Sequence, residues 1–184
     1  MNVIEGPLPG LLLIEPAVHA DHRGWLVEVW SDERYAGAGV STRFVQDNLS
    51  FSRRGALRGL HFQHPHGQAK LVSVLDGEVF DVAVDIRVGS PTFGRWHGCT
   101  LSSANHRQLF VPPDFAHGFQ VTSEHALVSY KCGEYYRPEV ESTILWSDPD
   151  LGIAWPDVAP ILSARDRAGA RLREIEPSRL PAAG

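Results

Sequence analysis

Cysteine, methionine and clustered positive charge are scarce in this 184-residue chain, which has two Cys, one Met, and 17 Lys plus Arg against 22 Asp plus Glu for a formal charge of −5. Two cysteines, Cys99 and Cys132, cannot build a disulfide framework and lack metal-ligand spacing, so both read as reduced packing residues. The acidic balance excludes a surface that wraps DNA or RNA, because such binding rests on clustered Lys and Arg neutralising phosphates. A local cationic pocket is still allowed. Long apolar runs are also missing. The one near the N-terminus, Leu11 to Ile14, follows no basic stretch and is far too short for a signal peptide or a membrane span, so the expectation is a cytoplasmic protein with no membrane partner. No G-x-G-x-x-G follows a strand and no G-x-x-x-x-G-K-[ST] occurs, which removes a Rossmann-bound nicotinamide from the chemistry.

What is present describes a globular body. Hydrophobic residues are 43% and charged residues 21%, and the length suits one domain over residues 1–184. Gly and Pro number 17 and 13, and turn signals recur about every 8 to 12 residues, as in sandwiches and barrels. Strands are expected at Phe44 to Ser52, Leu57 to Gln63, Lys70 to Leu75, Phe80 to Arg87, Arg95 to Leu101, Gln108 to Val111, His117 to Val121 and Ala126 to Cys132. Asp76-Gly77 is the strongest hairpin signal. Phe80, Val82, Val84 and Ile86 alternate with Asp81, Ala83, Asp85 and Arg87, the pattern of a half-buried strand. Ser31-Asp-Glu-Arg reads as a capped helical turn, and only Ser163 to Arg173 looks helical near the C-terminus. Eight or more antiparallel strands imply an all-β jelly roll or related barrel.

Reactive polar residues concentrate in segments that otherwise look like strands. Gln46, Asn48 and Ser50 share one face by the period of two, which suggests a lined cavity. His61 and Gln63 share a face in Leu57-Arg-Gly-Leu-His-Phe-Gln63. Arg58 falls on the opposite face of a regular strand, so a common site requires a bulge at Gly59 or service to a rim or neighbouring subunit. Alone, His61 reads as a satisfied barrel histidine and Lys70 as an edge-strand charge. Together with Arg58 and the amides they are costly to bury, and such clusters mark functional sites.

Several motifs resemble those of dTDP-4-dehydrorhamnose 3,5-epimerases: His19-x-Asp21-x-Arg23-Gly24, Gln46-Asp-Asn48, Leu57-Arg-Gly-Leu-His61-Phe-Gln63, Phe80-Asp-Val-Ala-Val-Asp-Ile-Arg87, Gly89-Ser-Pro-Thr-Phe-Gly94, Phe115-Ala-His117-Gly-Phe119 and Tyr130-Lys-Cys. The resemblance runs from about Arg23 to Asp166. It implies a cupin-type jelly roll, or double-stranded β-barrel, with a short C-terminal helical segment, and a homodimer with shared active sites. It also implies a dTDP-4-keto-6-deoxyhexose substrate, no cofactor and no metal.

By position, the resemblance makes His61 the general base, Asp166 the carboxylate that orients it, Lys70 the cation near the sugar ketone and Tyr130 the acid on the opposite face of the ring. Imidazole suits the first role because it is mostly neutral near pH 7, and a phenol is protonated there. Ser163-x-x-Asp166 also reads as a helix-capping arrangement. Arg23 and Arg58 correspond to residues that hold the diphosphate, and Glu28, Gln46, Asn48, His117 and Glu141 to further nucleotide-sugar contacts. Arg165 stands where many relatives carry lysine, and Asp114 where they usually carry glycine. A metal-dependent cupin would want His-x-His and a carboxylate, where this chain has His61-Phe-Gln63 and then Lys70. The remaining rivals are a non-catalytic sugar-nucleotide binder and an epimerase that inverts one carbon only.

Overall fold

The computed structural model describes residues 1–183. Eleven strands run as β1 (Asn2–Glu5), β2 (Leu12–Glu15), β3 (Val18–Asp21), β4 (Gly24–Val27), β5 (Gln46–Arg53), β6 (Leu57–Gln63), β7 (Lys70–Asp85), β8 (Trp96–Ser102), β9 (Gln108–Val111), β10 (Phe115–Cys132) and β11 (Glu141–Thr143). Two short helices, α1 (Asp32–Gly37) and α2 (Ala164–Arg167), and 3₁₀ turns at Leu172–Glu174 and Pro177–Arg179 complete the elements. Among the described residues no helix is long and apolar enough to cross a membrane.

The architecture follows from β7 and β10, 16 and 18 residues long, which pair antiparallel along almost their whole length. Their halves take different neighbours. Lys70–Ser73 pairs with β9, which leads on to β2 and β1, while His125–Cys132 pairs with β5. The other halves pair with β8 on one side and with β6 and then β11 on the other. The two long strands thus cross from one leaf of sheet into a second.

Val72 and Val74 of the first leaf pack with Val79, Ala83, Leu101, Phe119 and Val121 of the second, so the leaves face one another across an apolar core. The outer faces are covered as well. Tyr35 and Val40 lie over Leu12, Ile14, Leu71 and Phe110 on the first leaf, and the C-terminal tail lays Ile144, Leu151, Leu172 and Leu180 over Leu60, Val82, Val84 and Ile86 on the second.

Five expectations change. Asp76-Gly77 does not close a hairpin; β7 continues through it, and the register shifts between Val121 and Ala126 of β10 opposite Gly77. A Cβ on Gly77 would sit 2.0 Å from the His125 carbonyl oxygen, so the glycine permits close approach inside a bent strand pair. For the same reason the two strands expected at 117–121 and 126–132 are one, with Ser123-Glu inside it. The Phe80 to Arg87 segment is buried on both faces, because the tail covers one and the barrel interior the other; Asp81 and Asp85 are fully buried. Of the 163–173 stretch, α-helix occupies only Ala164–Arg167, and a 3₁₀ turn begins at Leu172. Ser31 does precede α1, but its side chain makes no cap bond.

Candidate active site

Inward-facing positions are polar at one end of the barrel. There a cavity of about 260 Å³ is lined by Ser50 on β5, Arg58 and His61 on β6, Lys70 on β7, His117, Phe119 and Tyr130 on β10, and Ser163, Arg165 and Asp166 around α2. Alternation explains most of this set. Lys70 is even-numbered like the core residues Val72 and Val74, and Tyr130 like Val128.

Arg58 reaches the cavity through a bulge. His61 pairs with His117 and Arg58 with Phe119, so three steps along β6 oppose two along β10 and the arginine returns to the face of His61. Gly59, with φ of +121°, allows it, since a Cβ there would stand 2.6 Å from the Gly118 Cα. Of the readings left open for Arg58, the bulge is the one observed.

His61 Nε2 lies 2.6 Å from Asp166 Oδ1. With the carboxylate as acceptor, Nε2 carries the bridging hydrogen, and Nδ1 is the ring nitrogen free of that contact. The other carboxylate oxygen accepts from the Ser163 hydroxyl at 2.7 Å, while Ser163 Oγ accepts from the Asp166 amide at 3.0 Å. Helix capping and imidazole contact therefore coexist in one residue. Burial pushes the Asp166 carboxyl upward, but the hydrogen bonds from His61 and Ser163 outweigh it and hold the group below its usual range.

The Lys70 ammonium makes no hydrogen bond or ion pair within the described residues, and burial holds it below the usual lysine range. Burial raises the Tyr130 phenol, with Arg58 and a hydrogen bond from Asn48 acting the other way. It is a protonated donor at neutral pH. His117 turns Nε2 to both oxygens of buried Asp81, at 2.9 and 3.0 Å. Ser52 Oγ accepts from Arg58 Nε at 3.0 Å and fixes the guanidinium plane.

Other expected residues stand around or away from this cavity. Gln46 and Asn48 lie on the inward row of β5, bonded to each other at 3.0 Å. Glu141 is ion-paired with Arg165 of the cavity wall and accepts from the Tyr136 hydroxyl at 2.7 Å. Arg23 is not brought in. It sits on the β3–β4 hairpin, paired with Asp21, with its side chain 79% exposed. Glu28 is bonded to Arg34, also outside the cavity. Asp114 holds a φ of +69°, a conformation that glycine prefers and Asp tolerates better than most residues.

Sequence reasoning missed Asp81 and Tyr136. Period-two alternation puts Asp81 opposite the apolar row, on the solvent side of a half-buried strand, and Tyr136 lies outside any strand. Both thiols are free, and burial raises Cys99 to about 12. Among the described residues no three His, Cys, Asp or Glu side chains converge as a metal site needs.

Comparison with known proteins identifies the family. A family profile described as dTDP-4-dehydrorhamnose 3,5-epimerase matches residues 5–174. A dTDP-4-dehydrorhamnose 3,5-epimerase of Neisseria gonorrhoeae is 49% identical over 98% of the chain, which spans 55% of that relative's length. The structure of a dTDP-6-deoxy-D-glucose-3,5-epimerase from Legionella pneumophila, in complex with dTDP-4-keto-L-rhamnose, superposes with a TM-score of 0.97 at 49% identity, covering 100% of this chain and 98% of that one. A 3′-monoepimerase from Streptomyces bikiniensis, in complex with dTDP-quinovose, is also similar, with a TM-score of 0.90 at 37% identity and coverage of 97% and 93%.

Proposed function

Since the chain belongs to the dTDP-4-dehydrorhamnose 3,5-epimerase family, we propose that it inverts carbons 3 and 5 of dTDP-4-dehydro-6-deoxy-D-glucose to give dTDP-4-dehydro-L-rhamnose. The observation that carries this reading is that His61, oriented by Asp166, shares one cavity with Tyr130 and the unpaired ammonium of Lys70.

The chemistry starts from the substrate. Carbons 3 and 5 both flank the C4 ketone, so a proton removed from either leaves an electron pair that moves into a C–C double bond and onto the carbonyl oxygen. His61 Nδ1 takes the proton. Lys70 stabilises the enolate oxygen, an effect worth roughly 3 to 4 kcal/mol for a preorganised donor, and a positioned base supplies a further ~10²- to 10⁴-fold. The double bond then returns to the ketone as carbon takes a proton from the Tyr130 hydroxyl on the opposite face. Return from the His61 side would restore the starting centre. No redox step occurs, so the reaction calls for no electron-transfer cofactor.

The cavity, at about 260 Å³, is smaller than the ~300 to 1,000 Å³ usual for drug-sized ligands. It suits the hexose, with the diphosphate at Arg58 and Arg165 and the nucleoside over the rim toward Gln46, Asn48 and Glu141. Arg23 and Glu28 serve the site of a second copy. The β3–β4 hairpin carries Trp25 and Leu26 at 60% and 67% exposure, and the edge strand β5 exposes Leu49 and Phe51, the apolar surface a homodimer would cover.

The deciding experiment is incubation with substrate in deuterium oxide, read at each ring carbon by NMR. Label at both carbons with formation of the L-sugar is expected. His61→Ala should abolish exchange. The likeness to the Streptomyces 3′-monoepimerase favours single inversion as the second reading, which label at one carbon alone would establish. Absence of label with the wild-type protein would defeat the enzymatic reading altogether.

A further inference from the structure

Three buried side-chain polar atoms lack a hydrogen-bond partner among the described residues: Ser50 Oγ, Gln120 Oε1 and Arg137 Nε. Ser50 alone of these lines the cavity that holds His61, Lys70 and Tyr130. A buried hydroxyl without a partner costs stability, and such an atom is retained where a ligand completes it.

Ser50 sits on the inward row of β5 between Asn48, opposite Tyr130 in the pairing with β10, and Ser52, whose Oγ holds Arg58 Nε. The strand's period places neighbouring members of that row about 7 Å apart. Donors dominate the hydroxyl's surroundings: the cavity wall contributes the Arg58 guanidinium, the Lys70 ammonium, the Tyr130 phenol and Arg165. Cationic and phenolic groups leave the hydroxyl proton without an acceptor among them, and an anionic oxygen drawn into the cavity by Arg58 would supply one.

We propose that Ser50 Oγ donates a hydrogen bond to a non-bridging oxygen of the sugar-linked phosphate, making it a substrate-binding residue. This rests on reading the cavity as a nucleotide-sugar site and adds a residue to it. Because the phosphate is equally charged before and during enolate formation, the contact strengthens binding uniformly. Its loss appears in KM rather than kcat.

The test compares wild type, Ser50→Ala and Ser50→Thr. Binding of dTDP, whose terminal phosphate is the one a sugar would carry, is measured by calorimetry beside dTMP, which lacks it. Ser50→Ala should weaken dTDP and raise the substrate KM by about 10- to 100-fold, the range of a charge-assisted hydrogen bond. The same variant should leave dTMP binding and kcat within about twofold, and Ser50→Thr, which keeps the hydroxyl, should recover most of the dTDP affinity. The ligand-free melting temperature of Ser50→Ala should hold or rise, because an unsatisfied buried group is removed.

A drop in that melting temperature would show that the hydroxyl has a structural partner and overturn the proposal. Unchanged dTDP affinity, or equal loss for dTDP and dTMP, would overturn it too. Absence of deuterium exchange in a wild type whose dTDP binding still depends on Ser50 would remove the epimerase reading and uphold the phosphate contact.

Discussion

The proposed reaction gives His61 and Tyr130 unequal tasks, and what each side chain touches supports that division. Asp166, with its carboxyl held below the usual range, is an anion at neutral pH and engages Nε2, so Nδ1 is the ring nitrogen left for the substrate in the proposed reaction. The phenol is raised by burial and stays a donor. If the roles are divided in this way, Tyr130→Phe should wash deuterium into the substrate at a measurable rate while forming no inverted sugar, because abstraction survives and delivery to the far face does not. Equal loss of exchange and inversion, followed by NMR in the same tube, would contradict the division. His61, Lys70 and Tyr130 were legible in the sequence through motif spacing. Asp81 was not, since alternation along a strand tells which residues share a face and never which face meets water.

The turn between β7 and β8 is organised by one carboxylate. Asp85 accepts from Arg87 N, Nε and NH2 at 3.0, 2.9 and 2.8 Å, and from the Ser90 and Thr92 hydroxyls at 2.6 Å each. Burial alone would raise this group, but those bonds more than offset it and bring it from 3.8 to about 2. A depressed carboxyl favours the fold above its unfolded value. The contribution, about 2 kcal/mol from the size of the shift, is therefore fully present above roughly pH 5 and is lost as pH falls through 3.8 toward 2. Urea unfolding of wild type across that window should show the decline. Asp85→Asn should lower stability by about 2 kcal/mol at pH 7 and flatten that part of the acid dependence. Strand positions at β6 and β9 were readable to the residue, whereas the continuity of β7 through Gly77 was not. Asp-Gly signals a tight turn locally, and only the partner strand, approaching to 2.0 Å of where a Cβ would lie, makes the same glycine a bend.

The molecule as one chain leaves Arg23, Trp25 and Leu26 on an exposed hairpin whose two strands pair with each other in a separate two-stranded sheet. If that hairpin completes the site of a second copy, wild type should sediment at twice the chain mass. The double variant Trp25→Ala, Leu26→Ser should dissociate at micromolar concentration and lose activity on dilution in parallel, as followed by ultracentrifugation beside turnover. A wild type that sediments as a monomer and is fully active would remove the shared-site reading.

Composition, period-two alternation and turn spacing were enough to indicate an all-β jelly roll or related barrel, because each depends on a residue's immediate neighbours and on the geometry of an extended backbone. The period-two row of Gln46, Asn48 and Ser50 was enough to suggest a lined cavity, and the family resemblance pointed to Tyr130. Long-range packing settled the rest. The bulge at Gly59 that turns Arg58 toward His61, the tail that seals the outer sheet and leaves Asp81 inside, and the bend at Gly77 each arise from contact between segments far apart in the chain, where sterics and desolvation act on pairs that no local pattern contains.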